Sequence, residues 1–447
     1  MTNNSPIIKQ NTFAVLSKTK NLMDITNKIL SSKASVTEEV NEEWIQALWA
    51  WADENNIPDL EQRSRYNKAN WYGFPRDKEH LVNLTELNLR DNKLTCLPKE
   101  IGNLVNLTKL NLSLCGLTKL PKEIGNLVNL IDLDLAANKG LTELPNEIWN
   151  LKNLSRLNLT YVPLTELPKE IENLANLTTL DLGNTSFAEL PKEIGNLVNL
   201  TSLILTFSNL IYFPKEIANL VNLTHLNYSY IKCSELPKEI WSLVNLTKLD
   251  LEGNDLAELP KEIENLVNLT SLTLDNNEFT KLPKEVGNLV NLTSLAFSRN
   301  RLTELAKEIR NLVNLAALNL SFNRFVEFQN EICNLGNLNS LDLSYNDLTK
   351  LPREIENLAN LTSLNLSRNR LTELPKEIGN LVNLTSLYIP ENELTKLPEE
   401  IVKLVNLTEL DLSDNRDAIL SVEQEAWIEE LRQKYTFIKD CYYSRYD

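Results

Sequence analysis

The chain repeats itself every 23 residues from Leu81 onward, and this period constrains the fold more than any other feature of the sequence. The segment that begins at Leu81 reads LVNLTELNLRDNKLTCLPKEIGN, and the one that begins at Leu104 reads LVNLTKLNLSLCGLTKLPKEIGN. There are fifteen such units, the last beginning at Leu404, and only the third is longer, by Gly140. A unit of this length cannot bury its own leucines, so neighbouring units have to stack and share one apolar core.

Each unit predicts a short strand, a turn and a short helical segment. In the first unit Leu87 and Leu89 alternate with polar residues, which is the pattern of a strand with one buried face. Asn92 ends this strand, and its amide can both donate to and accept from backbone groups inside the turn. Pro98 suits the first position of a helical or 3-10 turn in which Ile101 points inward. We therefore predict a strand on one side of each coil and a helical turn on the other.

The shared pattern, LxxLxxLxLxxNxLxxLPxxIxx, resembles the leucine-rich repeat, in the 23-residue class found in Ras-pathway scaffold proteins, plant intracellular Ras-group proteins and many bacterial proteins. The resemblance covers Leu81 to about Asn415. It implies an α/β solenoid, a right-handed superhelix with a parallel β-sheet on its concave side and short helical or 3-10 segments on its convex side. With strands about 4.8 Å apart, the units would give an inner face on the order of 70 Å long.

The sequence divides into four regions. Residues 1–34 are a polar N-terminal tail, and residues 35–80 are a helical, tryptophan-rich N-terminal cap. Residues 81–416 hold the fifteen repeats, and residues 417–447 form a C-terminal capping helix and tail. Caps are expected because the end units of a solenoid otherwise expose their core.

Both predicted caps carry helix signals. The N-terminal apolar stripe consists of Val40, Trp44, Leu48 and Trp51. A ligand-binding aromatic box is the alternative interpretation of these tryptophans. At the other end, Ser421 and Gln424 have the spacing of a capping box that opens a helix.

Composition and charge argue against several classes of function. The net charge is −16 and the pI is about 4.9, which is not typical of a nucleic-acid-binding or membrane-binding surface. The five cysteines form no C-x-x-C pair, so neither a disulfide framework nor a metal site is expected. The N-terminus lacks the apolar core of a secretory signal, and no stretch approaches the length of about 18 apolar residues that spans a membrane. We expect a cytoplasmic monomer without cofactors.

The sequence holds no arrangement typical of a catalytic centre. It contains two histidines, His80 and His225, which leaves little room for a His-based catalytic pair. It also lacks a P-loop, a G-x-G-x-x-G loop, an H-E-x-x-H motif and a G-x-S-x-G motif. We therefore expect no enzymatic activity.

Residues that vary between units indicate two candidate binding surfaces on the repeated frame. Candidate patch 1 combines the position just before the turn asparagine with the position two residues later, in four adjacent units. It consists of Arg299, Arg301, Phe322, Arg324, Tyr345, Arg368 and Arg370. In an acidic chain this is a local cluster of arginine and aromatic side chains, which protein interfaces favour. The alternative is that these are solvated residues without a common role.

Candidate patch 2 lies where units lose the turn asparagine. The replacements are Cys115, Val162, Thr185, Ser208 and Ile231, the last four in consecutive units. Cysteine, threonine and serine can supply part of the lost hydrogen bonding, whereas valine and isoleucine cannot. The patch consists of Tyr161, Phe207, His225 and Tyr230. It is either a second contact surface or tolerated drift, and in both cases Tyr228, which replaces a core leucine, should be buried.

These observations predict a non-catalytic protein–protein interaction module that binds a protein partner through its concave face. A rigid surface presents many side chains at little ordering cost. One alternative is a bacterial effector, exported into a host cell without a cleaved signal peptide, that sequesters or scaffolds a host signalling protein. Another alternative, a scaffold of a small-GTPase pathway, is implied by the family resemblance alone.

Overall fold

The computed structural model describes residues 42–65, 68–210, 212–415 and 417–441. The predicted tail at residues 1–34 and Val40 of the predicted stripe lie outside these ranges. The chain divides into two compact units, residues 1–50 and residues 51–447. Helix α1 (Glu43–Glu54) begins in the first unit and ends in the second. Within α1, Leu48 and Trp51 of the predicted stripe are buried, whereas Trp44 is half-buried.

After the end of helix α1, the second unit contains a β-hairpin that the sequence did not reveal. Strands β1 (Glu61–Arg65) and β2 (Lys68–Tyr72) pair antiparallel, and helix α2 (Lys78–Val82) follows. The expectation of a helical cap over residues 35–80 is therefore incomplete. The segment EQRSR is entirely polar, and the alternation of polar and apolar residues in KANWY is too short to predict a strand by itself. The backbone N–H of Gly73 donates to the Asn88 carbonyl at 3.3 Å, which joins the hairpin to the first repeat.

The repeats build one parallel sheet of sixteen strands in the described part of the chain. Fifteen of these strands have three residues each and follow the sequence period. They are β3 (Glu86–Asn88), β4 (Lys109–Asn111), β5 (Asp132–Asp134), β6 (Arg156–Asn158), β7 (Thr179–Asp181), β8 (Ser202–Ile204), β9 (His225–Asn227), β10 (Lys248–Asp250), β11 (Ser271–Thr273), β12 (Ser294–Ala296), β13 (Ala317–Asn319), β14 (Ser340–Asp342), β15 (Ser363–Asn365), β16 (Ser386–Tyr388) and β17 (Glu409–Asp411). Equivalent leucines pair in register, as Leu87 does with Leu110. This arrangement confirms the α/β solenoid.

A five-residue 3-10 turn lies on the other side of each coil. The turns span Lys99–Asn103, Lys122–Asn126, Asn146–Asn150, Lys169–Asn173, Lys192–Asn196, Lys215–Asn219, Lys238–Ser242, Lys261–Asn265, Lys284–Asn288, Lys307–Asn311, Asn330–Asn334, Arg353–Asn357, Lys376–Asn380 and Glu399–Lys403. Ile101 and its equivalents are buried, as predicted. Pro98 precedes the turn as its N-cap, with φ −72° and ψ 153°, one position earlier than the sequence suggested.

The turn asparagines form a ladder that joins neighbouring coils. The Asn300 amide nitrogen donates to the Leu274 carbonyl at 2.9 Å, and its oxygen accepts from the Phe279 N–H at 3.1 Å. Both partners belong to the preceding repeat. Each asparagine thereby satisfies buried backbone groups that would otherwise lack a partner, which confirms its predicted role.

The five residues that replace the turn asparagine differ in how much of this hydrogen bonding they retain. The Cys115 thiol donates to the Leu89 carbonyl at 3.0 Å, and the Thr185 hydroxyl donates to the Leu182 carbonyl at 2.7 Å. The Ser208 hydroxyl is buried and forms no hydrogen bond within the described structure. The expectation that serine would supply part of the bonding is thus wrong for Ser208, whereas the threonine hydroxyl at Thr185, at the same distance from the backbone, does reach a carbonyl.

The C-terminal region closes the core with a helix and one more strand. Helix α3 (Val422–Lys434) opens with the predicted capping box, in which Ser421 and Gln424 bond each other's backbone N–H at 3.0 and 3.3 Å. Trp427, Ile428 and Leu431 are buried on the face that covers the last repeat. Strand β18 (Phe437–Lys439), which was not predicted, then extends the sheet parallel to β17.

Candidate protein-binding surface

The residue before the turn asparagine has the same unusual backbone in every repeat. We call this the rim position, because it lies at the edge of the sheet just after each strand. Its φ angle lies between +53° and +68° in all fifteen repeats, in the left-handed region that L-residues seldom adopt. The N–H of each rim residue donates across the repeats, as Arg299 does to the Ser321 carbonyl at 3.0 Å. These bonds hold the rim side chains in one regularly spaced row.

Four consecutive rim residues of candidate patch 1 lie against one another in a column, and we call them the rim stack. The rings of Phe322 and Tyr345 lie 3.8 Å apart at an angle of 13°. The guanidinium of Arg299 lies 4.4 Å from the Phe322 ring centre, and that of Arg368 lies 4.8 Å from the Tyr345 ring centre. Each guanidinium is attracted to the π-face that it covers. The structure thus brings these four residues into one ordered column.

The other three arginines of patch 1 form a second row, which we call the outer arginine row. It consists of Arg301, Arg324 and Arg370, all of them exposed. Arg301 pairs with Glu278, and Arg370 pairs with Asp347 at 2.8 Å. These counter-ions, and Glu391, which accepts from Arg368 Nε at 2.8 Å, were missed from the sequence. Each of the three acids lies 23 residues from its arginine, so the repeat period could have revealed them.

The sheet face beside the rim stack carries small side chains. The first residues of strands β12 to β15 are Ser294, Ala317, Ser340 and Ser363. The only carboxylate among the strand residues here is Asp342, which accepts from the Ser344 N–H at 2.9 Å and hydroxyl at 2.6 Å. A partner can therefore approach this part of the sheet closely without displacing long side chains.

Candidate patch 2 is only partly assembled. The rings of Phe207 and Tyr230 stack 4.4 Å apart at 9°, and the Tyr230 hydroxyl donates to the Glu252 carboxylate. This hydrogen bond, more than burial, raises the pKa of Tyr230 to about 12. At the next rim position Gly253 leaves room for the ring, because a Cβ there would lie 2.3 Å from Tyr230.

The remaining members of patch 2 lie apart from this stacked pair. Tyr161 occupies the rim two repeats before Phe207, with Asn184 between them. His225 opens strand β9 opposite Lys248, and burial together with the Lys248 charge lowers its pKa. The structure therefore stacks two of the four predicted residues and does not form one cluster from all of them.

Tyr228, which directly follows strand β9, fills the core. Its side chain is 1% exposed, and its hydroxyl donates to the Leu210 carbonyl at 3.3 Å. Its ring packs 5.0 Å from that of Phe213. The prediction that Tyr228 is buried in place of a core leucine is confirmed. Some aromatic residues of this region therefore pack in the core, and others lie on the surface.

The charged residues near strands β10 and β11 differ from those near strands β12 to β15. Asp250, Glu252 and Asp275 lie together at strands β10 and β11, and burial followed by the nearby carboxylates raises the pKa of Asp275 to about 6. Beyond them, at strands β12 to β15, the arginines of the rim stack and of the outer arginine row dominate the edge. One face thus offers an acidic region and a cationic, aromatic region.

Comparison with known proteins places this geometry in a family. The model of the leucine-rich repeat region matches residues 146–228, 211–331 and 327–434, and that of the single leucine-rich repeat matches residues 83–104 and 106–127. The chain belongs to the leucine-rich repeat family. No curated protein matches this leucine-rich repeat protein.

Solved structures agree with this membership. A leucine-rich repeat protein of Leptospira interrogans is 38% identical, with a TM-score of 0.70, and the match covers 81% of this chain and 97% of that one. The leucine-rich repeat ectodomain of the receptor kinase GASSHO1/SCHENGEN3 of Arabidopsis thaliana, solved in complex with CASPARIAN STRIP INTEGRITY FACTOR 2, is 31% identical over 76% of this chain and 50% of that one, with a TM-score of 0.57. An internalin of Listeria monocytogenes shares the fold, at 22% identity and a TM-score of 0.56 over 70% of this chain and 85% of that one.

The thiols of this leucine-rich repeat protein are poor nucleophiles. Burial raises the pKa of Cys115 to about 11 and that of both Cys333 and Cys441 to about 12. A thiol at such a pKa is protonated near neutral pH, and the thiolate is the reactive form. Within the described residues no helix is long and apolar enough to cross a bilayer, and no group of three His, Cys, Asp or Glu residues is placed to hold a metal ion.

Proposed function

We propose that this protein is a non-catalytic module that binds a protein partner through its sheet face and the adjoining rim. The rim stack is the observation that carries the proposal. Arginine and aromatic side chains dominate the energetics of many protein interfaces, and side chains that are already ordered lose little entropy on binding. The small residues on strands β12 to β15 leave space for the partner beside the stack.

Affinity capture with the full chain tests this proposal. We expect the variant Arg299→Glu, Arg324→Glu, Arg368→Glu to lose the partner, because it reverses three charges on the proposed surface. The control is Lys307→Glu, Arg353→Glu, Lys376→Glu, which makes the same charge change in 3-10 turns within the same four adjacent coils. Equal recovery of the partner by both variants would rule out the rim surface.

The stacked pair Phe207 and Tyr230 supports a second contact region for the same partner. The pair is ordered by ring stacking and by the Tyr230–Glu252 hydrogen bond. We expect Phe207→Ala with Tyr230→Ala to weaken capture without lowering the melting temperature by more than a few degrees. A large drop in melting temperature with unchanged capture would show that these rings only support the fold.

The 23-residue class and a bacterial origin are parts of the same proposal, supported by the pattern LPxxIxxL and by the 38% identity to the Leptospira interrogans protein. Within it, export into a host cell as an effector is one candidate role, and a small-GTPase-pathway scaffold in the cytoplasm is another. A translocation reporter fused to the full chain separates them, since only an effector would deliver the reporter into host cells. Light scattering of the purified chain tests the proposed monomer.

A further inference from the structure

We propose that the rim stack and the outer arginine row recognise an extended acidic segment, with two carboxylates four residues apart and an apolar side chain midway between them. This inference rests on the proposed function, and it specifies the chemistry of the partner at that surface. Three independent features of the described structure support it: the charge of the arginines, the ordered stacking of the rim side chains, and the spacing between Arg299 and Arg368.

The charge of the surface points to an acidic partner. Five arginines, at positions 299, 301, 324, 368 and 370, lie within four adjacent repeats of a chain whose net charge is −16. Arg301, Arg368 and Arg370 already have acidic neighbours. The side chains of Arg299 and Arg324 make no hydrogen bond or ion pair with any described residue, although Arg299 lies near enough to Asp275 for their charges to interact. Their in-plane N–H donors therefore suit the carboxylates of a partner.

The order of the stack points to a directional contact rather than a diffuse charge effect. A guanidinium over a ring face is attracted to the π-system and can still donate hydrogen bonds from its N–H groups. Arg299 lies over the Phe322 ring and Arg368 over the Tyr345 ring, so the two guanidinium groups bracket the two stacked rings. An apolar side chain can contact the ring edges while the flanking carboxylates bond the two arginines.

The spacing selects the conformation of the segment. Arg299 and Arg368 are three repeats apart, and three strand spacings of about 4.8 Å make about 14 Å. In an extended chain four residues span about 13 Å, and side chains at i, i+2 and i+4 share one face. Carboxylates at i and i+4 would thus reach the two arginines, and the side chain at i+2 would lie over Phe322 and Tyr345. The same four residues in a helix would span only about 6 Å.

Synthetic peptides test the recognition directly. The probe is a fluorescein-labelled peptide with the core Glu-Thr-Leu-Thr-Glu, titrated with the full chain and followed by fluorescence anisotropy. We expect binding that weakens as salt is raised from about 50 to about 200 mM, since exposed charges are screened. Replacement of both glutamates by glutamine, or a shift of the second glutamate to i+3, should weaken binding about tenfold or more.

Matched protein variants locate the contact. Arg299→Gln with Arg368→Gln should weaken binding of the peptide about tenfold or more. Lys307→Gln with Lys376→Gln, which has the same charge change and the same 69-residue separation in the 3-10 turns, should leave binding unchanged. Circular dichroism melting of both variants checks that each is folded, and Arg324→Gln provides a single exposed substitution should the first variant unfold.

Several outcomes would overturn the inference. These are equal affinity for the i+3 peptide, equal loss in the two matched variants, or equally tight binding of labelled single-stranded DNA of twelve thymidines, which would indicate an unselective anion patch. If the rim variants lose the captured partner but the peptide does not bind, the proposed function stands and only the acidic-segment inference fails. If neither experiment depends on the rim, both fail.

Discussion

The ammonium group of Lys439 lies 3.5 Å from the carboxylate of Asp411, whose side chain is completely buried. Lys439 belongs to the added strand β18, and Asp411 belongs to β17, the strand of the last repeat. The other carboxylate oxygen accepts from the Ser413 N–H at 3.0 Å. The closing strand therefore supplies a positive charge next to a buried negative one.

Removal of this positive charge should destabilise the C-terminal end. We expect Lys439→Ala to lower the free energy of unfolding by about 2 kcal/mol, because a buried carboxylate loses a cationic neighbour. Urea denaturation measures the change. Lys434→Ala, which breaks an exposed pair with Glu430, serves as the control and should change the free energy of unfolding much less, because solvent screens exposed ion pairs. Equal effects of the two substitutions would contradict the role of Lys439.

The asparagine ladder predicts opposite effects of two reciprocal substitutions. Asn300→Ser should lower stability by roughly 2–3 kcal/mol, since buried backbone groups of Leu274 and Phe279 lose their partner. Ser208→Asn should raise stability by about 1 kcal/mol, because it removes a buried hydroxyl without a hydrogen-bond partner and its longer side chain can form the ladder bonds that the other turn asparagines form. Thermal unfolding of both variants checks the signs, and a destabilised Ser208→Asn would show that this coil has departed from the common geometry.

The stacked rings of the rim should couple energetically. A double-mutant cycle on Phe322→Ala and Tyr345→Ala should give a coupling of about 1 kcal/mol in unfolding free energy, the usual size for an aromatic pair. The comparison pair, Phe322→Ala with Phe207→Ala, lies five repeats apart and should be additive. A coupling near zero for the adjacent rings would mean that the stack does not persist in solution.

The raised pKa of Asp275 predicts that the folded protein loses stability as the pH rises and this carboxyl group ionises. Its folded pKa of about 6 lies above the ordinary value of 3.8, so the folded state binds this proton more tightly than the unfolded state. The contribution to stability is present below about pH 4 and is lost as the pH rises through about 6. The free energy of unfolding of Asp275→Asn should therefore rise relative to that of the parent chain over this pH range, by at most roughly 3 kcal/mol. Melting curves from pH 4 to 7 measure the difference, and a constant difference would contradict the shift.

The buried thiols should resist alkylation in the folded protein. With iodoacetamide at pH 8, followed by mass spectrometry, we expect Cys115, Cys333 and Cys441 to stay unlabelled because they are buried and protonated. All five cysteines should react in urea. Rapid labelling of Cys441 without denaturant would indicate an activated thiol and would challenge the proposed absence of catalysis.

Much of the candidate surface was accessible from the sequence because the repeat converts sequence distance into spatial distance. Residues 23 positions apart lie on adjacent strands, so the repeat period alone places Arg299, Phe322, Tyr345 and Arg368 in one row. The prediction was weaker for patch 2. His225 and Tyr230 belong to the same repeat, but one lies on the strand and the other on the rim. Closeness in the sequence did not make them neighbours on one surface.

The amino-acid sequence by itself determined the period, the positions of strands, turns and turn asparagines, and the row in which each variable side chain stands, because these follow from a local pattern repeated fifteen times. Only the tertiary structure decided which neighbours each residue contacts. It placed the guanidinium of Arg299 over the Phe322 ring, paired Arg368 with Glu391, and added the hairpin β1–β2 and the closing strand β18. These features depend on side-chain torsions and on contacts with the ends of the solenoid. Neither is encoded in a repeating hydrophobic pattern.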